Sequence, residues 1–153
     1  MSTSAHSQVL SVDDDPVYRQ LMVEHLQSEG YQMHQAGSVA EARAVLERQA
    51  IAVVLLDMNM PGGEGTELLP YIKSLADPVE VIVISGQSSV SVAVEALRLG
   101  AFHYLTKPVD LDQVSTYVQR ALDHRRIIYE NSLMRASRRR DKDAQHQTPC
   151  PAL

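Results

Sequence analysis

The sequence has a single cysteine, no run of about eighteen apolar residues, and no histidine pair at metal-ligand spacing. Each absence removes a class of protein. Cys150 alone cannot form an internal disulfide, which fits a reducing, cytoplasmic setting. Without a long apolar run, no transmembrane helix and no membrane partner are expected. Met1–Ser7 is short and polar and lacks the apolar stretch of a secretory signal. The six histidines stand singly, so a zinc site is not expected. No internal repeat and no helix-turn-helix pattern occur.

What is present is enough for one domain with a real core. The chain has 153 residues, 44% of them hydrophobic. Its net charge of −5 is unevenly spread. Residues 1–119 carry 6 Lys and Arg against 15 Asp and Glu, whereas residues 120–153 carry 8 against 4. An acidic body with a basic extension is a two-part organisation.

Five apolar runs punctuate the body: Gln8–Val12, Tyr31–Gln35, Ile51–Leu56, Val79–Ile84 and Phe102–Leu105. The third and fourth are nearly continuous in branched residues, as in strands buried on both faces. Helix-length segments lie between them. Pro16–Glu29 sets Val17, Leu21, Met22 and Leu26 on one face. Val39–Gln49 carries Val39, Ala42, Val45 and Leu46, and Ser89–Leu99 carries Val90, Val94 and Leu97. Gly30 and Gly100 follow two of these segments where a helix-terminating glycine belongs. Pro70 interrupts Thr66–Leu75 and predicts a kink or a late helix start. Strands alternating with helices imply parallel strands and right-handed crossovers, hence a three-layer α/β sandwich. Leu111, Val114, Val118, Leu122, Ile128 and Leu133 extend a final helix to Arg140, longer than a domain core can cover. Its end should project, solvated or paired with another helix. The expected division is a disordered 1–7, a domain over 8–122, a helical extension over 123–140 and a disordered tail over 141–153.

In an open α/β sheet, ligands sit beyond the carboxyl ends of the strands. Asp13, Asp14 and Asp15 follow the first run, Asp57 the third, Ser85 the fourth, and Thr106, Lys107 and Pro108 the fifth. Clustered carboxylates repel unless a cation neutralises them, and hard oxygen donors suit Mg²⁺. A lysine supplies a charge for a phosphoryl oxygen and a serine can donate to another. Carboxylate nucleophile, metal and charge clamp are what in-line phosphoryl transfer requires. Asp15 before Pro16 reads most simply as a helix N-cap.

The motifs VDDDP at 12–16, LLDMNMPGGEG at 55–65, ISG at 84–86 and YLTKP at 104–108, in this order and spacing, resemble the receiver domain of two-component response regulators. The resemblance runs from Gln8 to Leu122. It implies a flavodoxin-like (βα)5 sandwich with strand order 2-1-3-4-5 and an extended C-terminal helix. By resemblance, Asp57 is the phosphoacceptor. Asp14 is then the direct metal ligand, Asp13 assists, and the backbone carbonyl of Asn59 completes the protein ligands for Mg²⁺ or Mn²⁺. Lys107 contacts the phosphoryl group and Ser85 turns toward it. Tyr104 is the aromatic switch, with core filler as its simpler reading. Asn59 and Gln87 tune dephosphorylation, Pro108 follows a cis bond, and His103 is exposed beside the output face. The implied partner is a sensor histidine kinase or a histidine phosphotransfer protein. The implied activity is confined to the domain's own phosphotransfer and dephosphorylation, so it is not an enzyme in the ordinary sense.

The output stays open between a single-domain relay and the receiver end of a longer protein, with a homodimer through the last helix. Arg125, Arg126, Arg135 and Arg138–Arg140 read as a solvated helix end rather than a nucleic-acid site. A flavodoxin-fold flavin binder or enzyme is the reading from another class. It is disfavoured because the loop after the first run is acidic where a phosphate-bearing cofactor wants a glycine- or hydroxyl-rich nest.

Overall fold

Ile51–Leu56 and Glu80–Ser85 are buried at every position, the pattern of strands covered on both faces. They are central strands of a computed structural model that describes residues 7–58, 65–86 and 90–147. The elements run β1 (Gln8–Val12), α1 (Pro16–Ser28), β2 (Gln32–Ala36), α2 (Val39–Arg48), β3 (Ile51–Leu56), α3 (Gly65–Lys73), β4 (Glu80–Ser85), α4 (Val90–Arg98), β5 (His103–Thr106) and α5 (Leu111–Gln147). The strands form one parallel sheet in the order β2-β1-β3-β4-β5. This is the flavodoxin-like sandwich and strand order that the motifs imply.

Alternation along β3 divides the core. Val54 and Leu56 join Leu68, Leu69 and Ile72 of α3 and Ala42 of α2 on one face. Val53 and Leu55 join Met22 and Leu26 of α1 and Val114 and Val118 of α5 on the other. Each fully buried Leu, Ile or Val contributes about 1.5–3 kcal/mol.

Local signals set the helix ends. Asp15 caps α1, its carboxylate accepting from Val17 N (3.0 Å) and Tyr18 N (3.4 Å), with Pro16 in the first turn. Ser38 caps α2 by accepting from Glu41 N (3.1 Å), and Glu41 reaches back to Gly37 N (2.7 Å). Gly30 and Gly100 adopt φ of 99° and 108°, which an L side chain rarely tolerates.

Several expectations need correction. β2, β4 and β5 lie one residue later than their apolar runs, because Ala36, Ser85 and Thr106 pair in the ladder whatever their polarity. α3 does not start late. It begins at Gly65 and passes through Pro70, and Ser74 N still bonds Pro70 O (3.1 Å). Buried Leu68, Leu69 and Ile72 hold it in place. On α1, Val17 and Leu21 face solvent while Val23 is buried beside Met22 and Leu26. On α4 the apolar stripe of Val90, Val94 and Leu97 is exposed and only Ala96 is buried. α5 continues past Arg140 to Gln147, since nothing in DKDAQHQ stops a helix. The domain covers only its first turns, to Ala121 and Leu122. The expectations for residues 1–6 and 148–153 fall outside the described residues.

Candidate functional site

The parallel ladder continues one residue beyond three strands. Asp13 N bonds Ala36 O (3.1 Å), Asp57 N bonds Val12 O (2.9 Å) and Lys107 N bonds Ser85 O (2.8 Å). Backbone pairing therefore fixes where these side chains leave the sheet edge. The polar residues read from separate strand ends do meet. Asp13, Asp14 and Asp57 each offer a carboxylate oxygen, all within 4.8 Å of one another. Asp13 and Asp57 are buried and Asp14 is exposed.

Lys107 Nζ lies 3.0 Å from Asp13 Oδ2 and 3.6 Å from Asp57 Oδ2. Burial works to lower the pKa of this ammonium. The hydrogen bond that the ammonium donates to Asp13 and the charges of Asp57, Asp13 and Tyr18 outweigh burial and raise it. Three carboxylates against one ammonium leave a formal excess of two negative charges. Buried like charges at this range repel by roughly 4 kcal/mol at an effective dielectric of about 20. The donor set is all hard oxygen, in excess by the charge of one divalent cation, and one of the three carboxylates, Asp14, is exposed to solvent. The residues present fit such a cation.

Ser85 ends β4 and is fully buried. Tyr104 lies partly buried on β5, opposite Val83 and packed against the α3-side core. Ser85 and Tyr104 sit on neighbouring strands, and Tyr104 comes three residues before Lys107. The Lys107–Pro108 peptide is cis. Asn59 and Gln87 lie outside the described residues. His103 is partly buried rather than exposed, its ring stacked on Tyr117 at 3.8 Å and 16°. Burial, and then Arg120, hold its pKa below the usual histidine value.

Two neighbours of the site were not legible as such. Arg19 Nη1 donates to Asp13 O at 2.6 Å and its Nε to Gln35 Oε1 at 3.0 Å, so α1 and β2 together hold the acidic loop. Tyr18 accepts from Val109 N at 3.0 Å, and its ring centroid lies 4.4 Å from Lys107 Nζ. The available signal was their place in the first turn after Asp15, directly beside the loop.

Fold and site together define a receiver-type signalling domain. Residues 9–119 match the response regulator receiver domain family, and the chain belongs to it. It is similar to the response regulator protein PilR of Pseudomonas aeruginosa (34% identity, 95% of this chain, 35% of that protein). It also resembles the C4-dicarboxylate transport transcriptional regulatory protein DctD of the same organism (35% identity, 86% of this chain, 28% of that protein). The chain thus spans about a third of the length of these curated relatives. Among solved structures it resembles a CheY-like receiver domain protein from Methanospirillum hungatei (TM-score 0.74, 30% identity, 78% of this chain and 96% of that one). NtrX from Brucella abortus is similar too (TM-score 0.79, 31% identity, 85% and 30%). No helix among the described residues is long and apolar enough to cross a membrane.

Proposed function

We propose that Asp57 accepts a phosphoryl group from a phosphohistidine donor, a sensor histidine kinase or histidine phosphotransfer protein, in the cytoplasm. The observation that carries this reading is the convergence of Asp13, Asp14 and Asp57 within 4.8 Å beside Lys107. An Asp57 carboxylate oxygen attacks phosphorus and a new O–P bond forms. The P–N bond to the donor imidazole breaks, and its electron pair returns to the ring nitrogen. Asp13, Asp14 and Asp57 would hold Mg²⁺ or Mn²⁺, with the Asn59 carbonyl as the further ligand. When bound, the ion offsets charge on the phosphoryl oxygens. Lys107 neutralises part of the same charge through its ammonium. Apart from its own phosphotransfer and dephosphorylation, the domain catalyses nothing in this reading, and Asn59 and Gln87 set how long the phosphoryl group lasts.

Phosphorylation adds about 1.5–2 negative charges. Ser85, already at the site edge, gains a hydrogen bond by turning inward, and Tyr104 follows on the adjacent strand. The responding surface is α4, β5 and the start of α5, where Val90, Val94 and Leu97 are exposed. Its similarity to much longer regulatory proteins favours a receiver that feeds an attached or separate effector. Tyr129 and Leu133 continue the face of Val118 and Leu122 beyond the domain and are exposed. That favours a homodimer along α5, and a monomeric mass by light scattering with and without beryllofluoride would count against it.

Acetyl phosphate tests the acceptor directly. Wild type should incorporate label in the presence of Mg²⁺ and Asp57→Asn should not. Undiminished labelling of the variant would move the acceptor elsewhere.

A further inference from the structure

Lysine is a point charge on a flexible four-carbon stem, so something must aim it if its ammonium is to serve two carboxylates. Lys107 stands at the mouth of the β5–α5 loop, and α1 meets it there. The Tyr18 ring lies beneath the ammonium, 4.4 Å from centroid to Nζ. The Tyr18 hydroxyl accepts from Val109 N at 3.0 Å, two residues beyond Lys107. Tyr18 is itself fixed. Its backbone N–H points to the Asp15 cap at 3.4 Å, and the next residue, Arg19, is bound to Asp13 O at 2.6 Å. One side chain therefore ties the acidic loop after β1 to the loop that carries the lysine, across 91 residues of sequence.

We propose that Tyr18 is a positioning residue for Lys107: its ring supports the ammonium and its hydroxyl tethers the following loop. The inference rests on the phosphoacceptor reading of Asp57 and adds to it a residue that acts only through the lysine. The two jobs are separable by substitution. Tyr18→Phe keeps the ring and loses the tether. Tyr18→Leu loses both while keeping an apolar side chain against the core beneath α1.

The experiment combines labelling kinetics with NMR on the full chain. With acetyl phosphate and Mg²⁺, Tyr18→Leu should label about three- to tenfold more slowly than wild type, and Tyr18→Phe by a smaller factor. In a Lys107→Ala background, Tyr18→Leu should add little further slowing, because residues that act as one unit are not additive. Without metal or phosphodonor, the Lys107 ε-methylene protons should be shifted upfield by the ring in wild type and Tyr18→Phe but not in Tyr18→Leu. Protection of the Val109 amide from exchange should be lost in both variants. Wild-type labelling rates in both variants would overturn the inference. So would equal slowing by Tyr18→Leu in the presence and absence of Lys107, which would make the effect merely structural. Asp57→Asn, run alongside, separates the two levels. Label retained there overturns the acceptor reading itself, whereas label lost there with unchanged Tyr18 variants overturns only the role of Tyr18.

Discussion

Lys107 donates to Asp13 Oδ2 at 3.0 Å while standing 3.6 Å from Asp57. The ammonium is the counterion shared by two buried carboxylates. Lys107→Ala should therefore destabilise the metal-free domain by about 1–3 kcal/mol, since a buried charge that loses its partner costs more than the pair contributed. The pH dependence follows from the direction of the lysine's shift. Its pKa in the fold is raised above 10.5. Its contribution is then fully present below 10.5 and fades as pH climbs through the raised value. Urea unfolding should show a level gap between wild type and variant from about pH 7 to 9, narrowing only in strong alkali. A gap that closes near neutrality would contradict the shared-counterion account.

The same charge count predicts an opposite effect at Asp57. Asp57→Asn removes one of three clustered carboxylates and should raise the melting temperature in chelator by a few degrees, about 1 kcal/mol at this chain length. Adding Mg²⁺ at about ten times its dissociation constant should stabilise wild type by about 1.4 kcal/mol, and Asp57→Asn by less. Calorimetric scans with and without the ion check both. Equal Mg²⁺ responses in the two proteins would remove Asp57 from the cation site.

Most of the fold was legible because burial on both faces marks a parallel strand directly. Ile51–Leu56 reads as buried from composition alone and is buried throughout. The acidic residues were legible for a related reason: in a parallel sheet every strand points its carboxyl end to one edge, so Asp13 and Asp57 had to meet. Helix faces were less legible. Periodicity says that Val17, Leu21, Val90 and Val94 share faces, not whether the sheet lies beneath them, and all four are exposed. Tyr18 could be placed beside the acidic loop but not joined to Val109, whose loop takes a path that only the fold decides.

A second polar relationship hid at the opposite edge of the sheet. Glu80, at the start of β4, is buried and bonded to Lys73 Nζ at 2.8 Å and to His124 Nδ1. Arg125 Nε adds a bond to Pro78 O at 2.7 Å. These contacts fasten α5 to the base of the sheet at the point where the helix begins to leave the domain. An acidic residue inside an apolar run gave no hint of this, as its partners lie 7 and 44 residues away. Glu80→Ala should cost about 1–3 kcal/mol, because it removes the carboxylate that Lys73 and His124 share. His124→Ala, on a half-exposed partner, should cost distinctly less. Urea midpoints for the two variants would rank them, and a Glu80→Ala midpoint equal to wild type would refute the anchor.

His103 supplies a pH test on the surface proposed to respond. It stacks on Tyr117 of α5, and burial followed by the Arg120 charge lowers its pKa from 6.5. The folded state thus favours the neutral ring. Its contribution is present above pH 6.5, is lost as pH falls toward the lowered value, and changes no further below it. His103→Gln removes the titrating group and keeps a polar side chain. Wild type should lose stability relative to this variant as pH falls through 6.5 toward the lowered value, measured by urea unfolding at each pH. Parallel pH profiles would mean that the ring protonates without strain beside Arg120, and that the stack on Tyr117 does not depend on a neutral imidazole.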